Sequence, residues 1–99
     1  MNHGVPQWIM EDILKVCKEN LLVKRILLFG SRARGSFRYN SDIDLYLEGE
    51  GISYYFPAKI KEKSGVYKVQ VVIPEYVDNP ELLESIARDG IVLFNRAET

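Results

Sequence analysis

The chain contains one cysteine, Cys17, and one histidine, His3, so its own residues supply neither an internal disulfide nor a Cys/His metal cluster. No apolar run is long enough to cross a bilayer, and the N-terminus lacks a signal-peptide pattern. These absences lead us to expect a reduced, cytoplasmic setting without membrane attachment. A formal net charge of -1 gives no general attraction to nucleic acid or anionic lipid, so any phosphate binding must be local. Internal repeats, low-complexity tracts and linker-like stretches are also missing. The remainder is ordinary globular composition, with 46% hydrophobic and 27% charged residues. A length of 99 residues fits one small domain, 1–99, with a thin core that self-association or a partner would help to bury.

Residues 6–20 carry Ile9, Ile13, Val16 and Cys17 on one helical stripe, with Pro6 at the start, and predict an amphipathic helix. Residues 23–29 end in Ile26 to Phe29, apolar on both faces as a central strand is. A short helix over 31–35 follows Gly30. The run 41–49 alternates, with Ile43, Leu45 and Leu47 on one side and Asp42, Asp44 and Tyr46 on the other. The segment 50–64 is the least legible; a short helix from Pro57 toward Gly65 fits it. A strand over 66–73 stops at Pro74. The next helix has Asn79 as its cap, Pro80 in its first turn and Gly90 at its end, and "IVLFN" closes as a strand. This order predicts an α/β (α+β) domain with a small mixed sheet flanked by helices.

The chemistry concentrates in "GSRARGSFRYNSDID", residues 30–44. Asp42 and Asp44 leave one face of a strand roughly 6–7 Å apart at Cα, close enough to repel unless Arg38 or a bound cation neutralises them. Mg²⁺ favours such oxygen ligands and bridges to phosphates. Gly30 and Ser31 follow a buried strand, where exposed backbone N–H groups and the Ser31 hydroxyl can meet an anion. Arg32, Arg34 and Arg38 add positive potential. Taken singly, these are more simply a solvated strand end, an ordinary turn and a basic loop. Together they suit a nucleoside triphosphate with its metal ions, which needs both an anion cradle and a carboxylate cation site.

This stretch resembles the signature of DNA polymerase beta-like nucleotidyltransferases: Gly-Ser, ten residues, Asp-x-Asp. It is most similar to the minimal nucleotidyltransferase branch, whose motif reads GSxARGxxxxxSDIDL, and the match is dense over residues 28–47. The ending "NPELLESIARDGIVLF" is also similar to that branch. The resemblance implies that Gly30, Ser31, Arg32 and Arg34 form the nucleotide and phosphate site and that Asp42 and Asp44 bind catalytic Mg²⁺. It implies transfer of a nucleoside monophosphate, AMP from ATP, to an acceptor hydroxyl. It further implies an antitoxin-type role beside a HEPN-domain partner; whether the chain forms a homo- or hetero-oligomer is left open.

One position departs from the pattern. The family's third carboxylate lies in a later strand reading like "VDLV", and the matching "VQVV" here puts Gln70 in its place. An amide can hydrogen-bond but cannot take a proton from a hydroxyl. Glu75 is the nearest acid downstream; its alternation parity is opposite, and Pro74 intervenes. An alternative expectation is therefore a weak or inactive member that binds nucleotide and metal and works by binding its HEPN partner. An RNA-binding module using Arg25, Arg32, Arg34 and Arg38 is a third reading, opposed by the overall acidity and by the lack of a stacking motif nearby. Trp8 is expected in the core or an interface. Tyr54, Tyr55 and Phe56 are expected to pack on the sheet, with lining a nucleotide pocket or docking a partner as alternatives, and Lys61 and Lys63 to be solvated.

Overall fold

The computed structural model describes residues 3–98. Helix α1 spans Gln7–Glu19, and its buried stripe is Ile9, Met10, Ile13 and Cys17. Pro6 sits just outside it as the cap residue, and its carbonyl accepts from the N–H groups of Ile9 and Met10. After a turn, β1 runs over Arg25–Phe29 and passes directly into the single-turn α2, Gly30–Arg34. Then come β2, Ile43–Glu48, the short α3, Pro57–Lys61, and β3, Val69–Val72. A 3-10 turn over Pro74–Tyr76 leads to α4, Pro80–Asp89, and to β4, Ile91–Asn95.

The four strands lie in the order β3-β2-β1-β4. Strand β1 is antiparallel to both β2 and β4, whereas β2 and β3 are parallel, which makes the sheet mixed. Ile26 and Leu28 of β1 and Ile43, Leu45 and Leu47 of β2 face α1 and α3 in the main core, with Ile13, Cys17 and Ile60 packed among them. Each such side chain contributes about 1.5–3 kcal/mol of transfer free energy. The opposite face has a smaller apolar cluster, Leu27 and Tyr46 under Ile86 of α4. Both faces of β1 are thus covered, as its unbroken apolar run implies.

Helix α4 has the punctuation its sequence predicts. The Asn79 side chain accepts from the Leu82 N–H at 3.2 Å, with Pro80 in the first turn. Gly90 ends the helix for a steric reason rather than a conformational one. Its φ of -67 is ordinary, yet a Cβ there would stand 2.6 Å from the Ile86 carbonyl oxygen and 3.0 Å from Leu27.

Three expectations are revised. The strand expected over 66–73 pairs only from Val69, because Tyr67 N–H turns back to Ser64, Gly65 has φ +62 and Val66 is 96% exposed. Trp8 is 64% exposed and is not a core residue. Of the aromatic triplet, Phe56 enters the core while Tyr54 and Tyr55 stand outside it. Tyr46 shares a face with Asp44, as alternation requires, but α4 buries it. Among the described residues, no helix is long and apolar enough to cross a membrane.

Candidate functional site

The pairing of β1 with β2 places Phe29, the residue before Gly30, opposite Asp44. The turn after β1 and the first carboxylate of β2 therefore meet at one end of the sheet. Gly30 has φ +76, a backbone state that favours glycine, and a Cβ at that position would overlap the Asp44 carboxylate, with its Cγ only 3.0 Å away. The missing side chain leaves room for the carboxylate to lie directly against the Gly30 main chain.

Burial, first, and the charge of Asp42, second, raise the Asp44 pKa above the ordinary carboxylate value, while Arg34 and Arg32 pull it down. The Asp44 carboxylate is thus electrostatically unsatisfied in the direction that a bound cation would relieve. Asp42 and Asp44 are both half-buried. Among the described residues no group of three or more His, Cys, Asp or Glu side chains could hold a metal ion. What the site offers a cation is two carboxylates.

The parallel register pairs Asp44 with Gln70, so their side chains leave the sheet on the same face, with Gln70 exposed on the neighbouring strand. Glu75 lies elsewhere. It sits in the 3-10 turn beyond the far end of β3 and accepts from the Gly51 N–H at 2.7 Å. Because β2 and β3 run in parallel, that places it past the opposite end of the strands from Asp44 and removes it as a substitute carboxylate.

Arg32 requires a correction. Its side chain is fully buried, at 0% exposure, and cannot reach out to a phosphate as the sequence led us to expect. Its guanidinium donates from Nε and Nη2 to the Ser41 carbonyl at 3.2 and 2.8 Å and from Nη1 to the His3 carbonyl at 3.0 Å, with a longer contact to Tyr39. The rings of Phe37 and Tyr67 flank it at 5.2 and 5.4 Å. Arg32 is a clamp on the loop, fixing the carbonyl of the residue immediately before Asp42. Sequence reasoning missed this packing; the nearby Phe37 was the one local hint, and Tyr67 and His3 are too distant in the chain to have given any. Arg34 and Arg38 remain exposed. The Arg38 N–H donates to Ser41 Oγ at 2.8 Å, which tightens the same loop.

Gly30 and Arg34 also line a cleft of about 310 Å³ between α2 and α4, together with Phe29, Leu82, Ser85 and Asp89. Its volume is at the lower end of the range usual for small-molecule sites.

Comparison with known proteins bears directly on this geometry. The family model for polymerase beta nucleotidyltransferases matches residues 11–99. The chain belongs to that nucleotidyltransferase family. A curated relative from Methanocaldococcus jannaschii, provisionally described as a protein adenylyltransferase, is 35% identical over 89 residues, covering 84% of this chain and 89% of its own. Among solved structures, a toxin-antitoxin crystallised with AMP-PNP superposes with a TM-score of 0.71 at 22% identity, covering 86% of this chain and 72% of the other. A nucleotidyltransferase-like protein from Sulfolobus solfataricus gives a TM-score of 0.58 at 19% identity, covering 91% and 80%. These structural likenesses show the nucleotidyltransferase fold, with its small mixed sheet and flanking helices.

Proposed function

We propose that the protein is a divalent-metal-dependent nucleotidyltransferase that moves AMP from ATP to an acceptor hydroxyl on a HEPN-domain partner, acting as an antitoxin-type protein. The observation that carries this reading is the close approach of the Asp44 carboxylate to Gly30, which supports reading the Gly30-Ser31 turn and the acidic pair as one site. The adenylyltransferase description of the curated relative supports AMP as the transferred group. The toxin-antitoxin nature of the structural neighbours supports a toxin as partner, and the sequence resemblance supplies the HEPN class.

In this reading Asp42 and Asp44 hold Mg²⁺, which when bound neutralises polyphosphate charge and polarises the phosphoryl group. Gly30 and Ser31 receive the phosphates, and the α2–α4 cleft that shares Gly30 takes the nucleoside. Arg34 supplies positive potential beside Asp44, whereas Arg32 is a positioning residue. The acceptor oxygen forms a bond to the α-phosphorus as the bond to the pyrophosphate oxygen breaks in line, and pyrophosphate departs. Gln70, beside Asp44, can orient the acceptor hydroxyl by hydrogen bonding but cannot accept its proton, which passes to solvent. General bases commonly contribute about 10²–10⁴-fold, so transfer is slow compared with a site that has a carboxylate there.

Gln70 also motivates a second reading, in which the chain binds nucleotide and metal but regulates its partner by complex formation alone. Incubation with a co-encoded HEPN-domain protein and ATP labelled on either the α- or the γ-phosphate separates the two. The first reading predicts α-label on the partner, no γ-label and loss of transfer in Asp44→Asn. A tight complex with neither label transferred supports the second, and transfer of the γ-label would refute both.

A further inference from the structure

The Gly30 turn has a neighbour on each side. The β1–β2 register sets Phe29 opposite Asp44, and the β1–β4 register, with Leu28 opposite Ile91, brings Gly90 alongside Phe29 on the other flank. The turn is therefore bracketed by Asp44 from β2 and by the junction of Asp89 and Gly90 between α4 and β4. These two flanks are two strand spacings, about 10 Å, apart.

Leu82, Ser85, Ile86 and Asp89 recur at the three- and four-residue spacing that puts them on one side of α4, and all four line the cleft that shares Gly30. Leu82 and Ile86, with Phe29 beside them, give the cleft an apolar wall. The two polar groups that α4 contributes offer only acceptors. The Ser85 hydroxyl already donates its proton to the Leu82 carbonyl at 3.0 Å. Hydrogen bonding to Arg88 lowers the Asp89 pKa, so this side chain is a carboxylate at any neutral pH. Arg88 meets both of its oxygens, at 3.2 and 3.1 Å, which fixes their orientation and leaves each a further lone pair. Helix stability does not account for an acid at this place. Asp89 is the last residue of α4, where the helix dipole disfavours negative charge, and its ion pair with Arg88 is open to solvent and contributes little.

We propose that Asp89, with Ser85, accepts hydrogen bonds from the ribose hydroxyls of the nucleotide and makes the site selective for nucleotides with an intact ribose. This rests on the nucleotidyl-transfer reading, in which the phosphates lie at Gly30 and Ser31 and the nucleoside enters the α2–α4 cleft. A polyphosphate carries acceptors, so the donors that an acceptor-only wall can receive are those of the sugar and the base. The sugar follows the α-phosphate directly, and Asp89 stands beside the phosphate turn, which selects the sugar over a base edge. Two neighbouring hydroxyl donors match the two oxygens of one carboxylate. Arg34, whose charge acts on Asp44, serves the phosphate end of the same cleft.

The test is calorimetric titration of the full chain with the magnesium complexes of ATP, dideoxy-ATP, GTP and dideoxy-GTP. Wild type should bind ATP at least about tenfold more tightly than dideoxy-ATP, the effect of one or more charge-assisted hydrogen bonds. Asp89→Ala should weaken ATP by a similar factor and leave dideoxy-ATP within about twofold, so the preference disappears. A merely structural role would lower both nucleotides alike. Equal affinity of wild type for ATP and dideoxy-ATP, or a preference that survives Asp89→Ala, overturns the assignment. If ATP binding is then still lost in Asp42→Asn/Asp44→Asn, the nucleotide reading stands without it, whereas absence of any Mg-ATP binding overturns both. A preference for GTP that Asp89→Ala removes, with GTP and dideoxy-GTP bound equally, would give Asp89 to a base edge and overturn the ribose assignment as well.

Discussion

Replacing Arg32 by methionine, similar in length but without donors, tests whether this residue builds the site or touches its ligand. The substitution removes two short charge-assisted bonds to the Ser41 carbonyl and one to the His3 carbonyl. It also removes a cation between the Phe37 and Tyr67 rings. Bonds of this kind contribute about 1.5–3 kcal/mol each, partly offset because the buried charge no longer has to be desolvated. A net loss of about 2–4 kcal/mol follows, a large share of the ~5–15 kcal/mol of a typical domain. For a chain of this size that lowers Tm by roughly 10–25 °C. The assay is thermal and urea unfolding of the protein without nucleotide. Arg32→Lys should fare nearly as badly, because an ammonium cannot reproduce the fork that spans both carbonyls. A variant with unchanged Tm that loses only ATP affinity would refute the clamp and return Arg32 to the phosphate site.

Gly30→Ala should cost about 1–2 kcal/mol in backbone conformation and, by pushing the Asp44 carboxylate aside, reduce Mg-ATP affinity by at least about tenfold in calorimetric titration. Gly35→Ala is the matched control: its φ is also positive, at +82, but a Cβ there meets nothing within 4 Å, so binding should persist. Gln70→Asp should raise the rate of label transfer to the partner by more than tenfold, within the ~10²–10⁴ range of a positioned base; no change would count against its place beside the reacting hydroxyl. Burial pushes the Cys17 thiol up to about 12 from an ordinary 9.0, so the folded state holds its proton more tightly than the unfolded chain. Stability therefore falls as pH rises between those values, and at pH near 8 a thiol reagent should label Cys17 only as fast as the protein unfolds. Rapid stoichiometric labelling of the folded protein would contradict that burial.

Much of the fold was legible because its periodicities are local. The alternation around Ile43, Leu45 and Leu47, the two-sided apolar run of β1 and the Asn79-Pro80 cap each state their structure within a few residues. The acidic pair and the glycine turn were legible for the same reason, being short-range motifs. Legibility failed where an outcome depended on residues far apart in the chain. Arg32 looks like the other loop arginines until His3 and Tyr67, both distant from it in the chain, close over it. Val66 to Lys68 have strand-like composition but follow a turn that swings them away from β2, and only the tertiary pairing reveals it. Tyr54 and Tyr55 read as core aromatics and proved to be surface residues, because Phe56 alone of the triplet points inward.

The central claim is that the Gly30-Ser31 turn and the Asp42-Asp44 pair grip a single metal-nucleotide complex. Paramagnetic broadening measures this directly, with Mn²⁺ replacing Mg²⁺ in the presence of ATP and backbone amides observed by NMR. The account predicts selective loss of the Gly30, Ser31, Asp42 and Asp44 amide signals, restored in Asp42→Asn/Asp44→Asn. Broadening centred instead on Glu48, Glu50 and Glu75 at the other end of β2, or undiminished in the double variant, would contradict it.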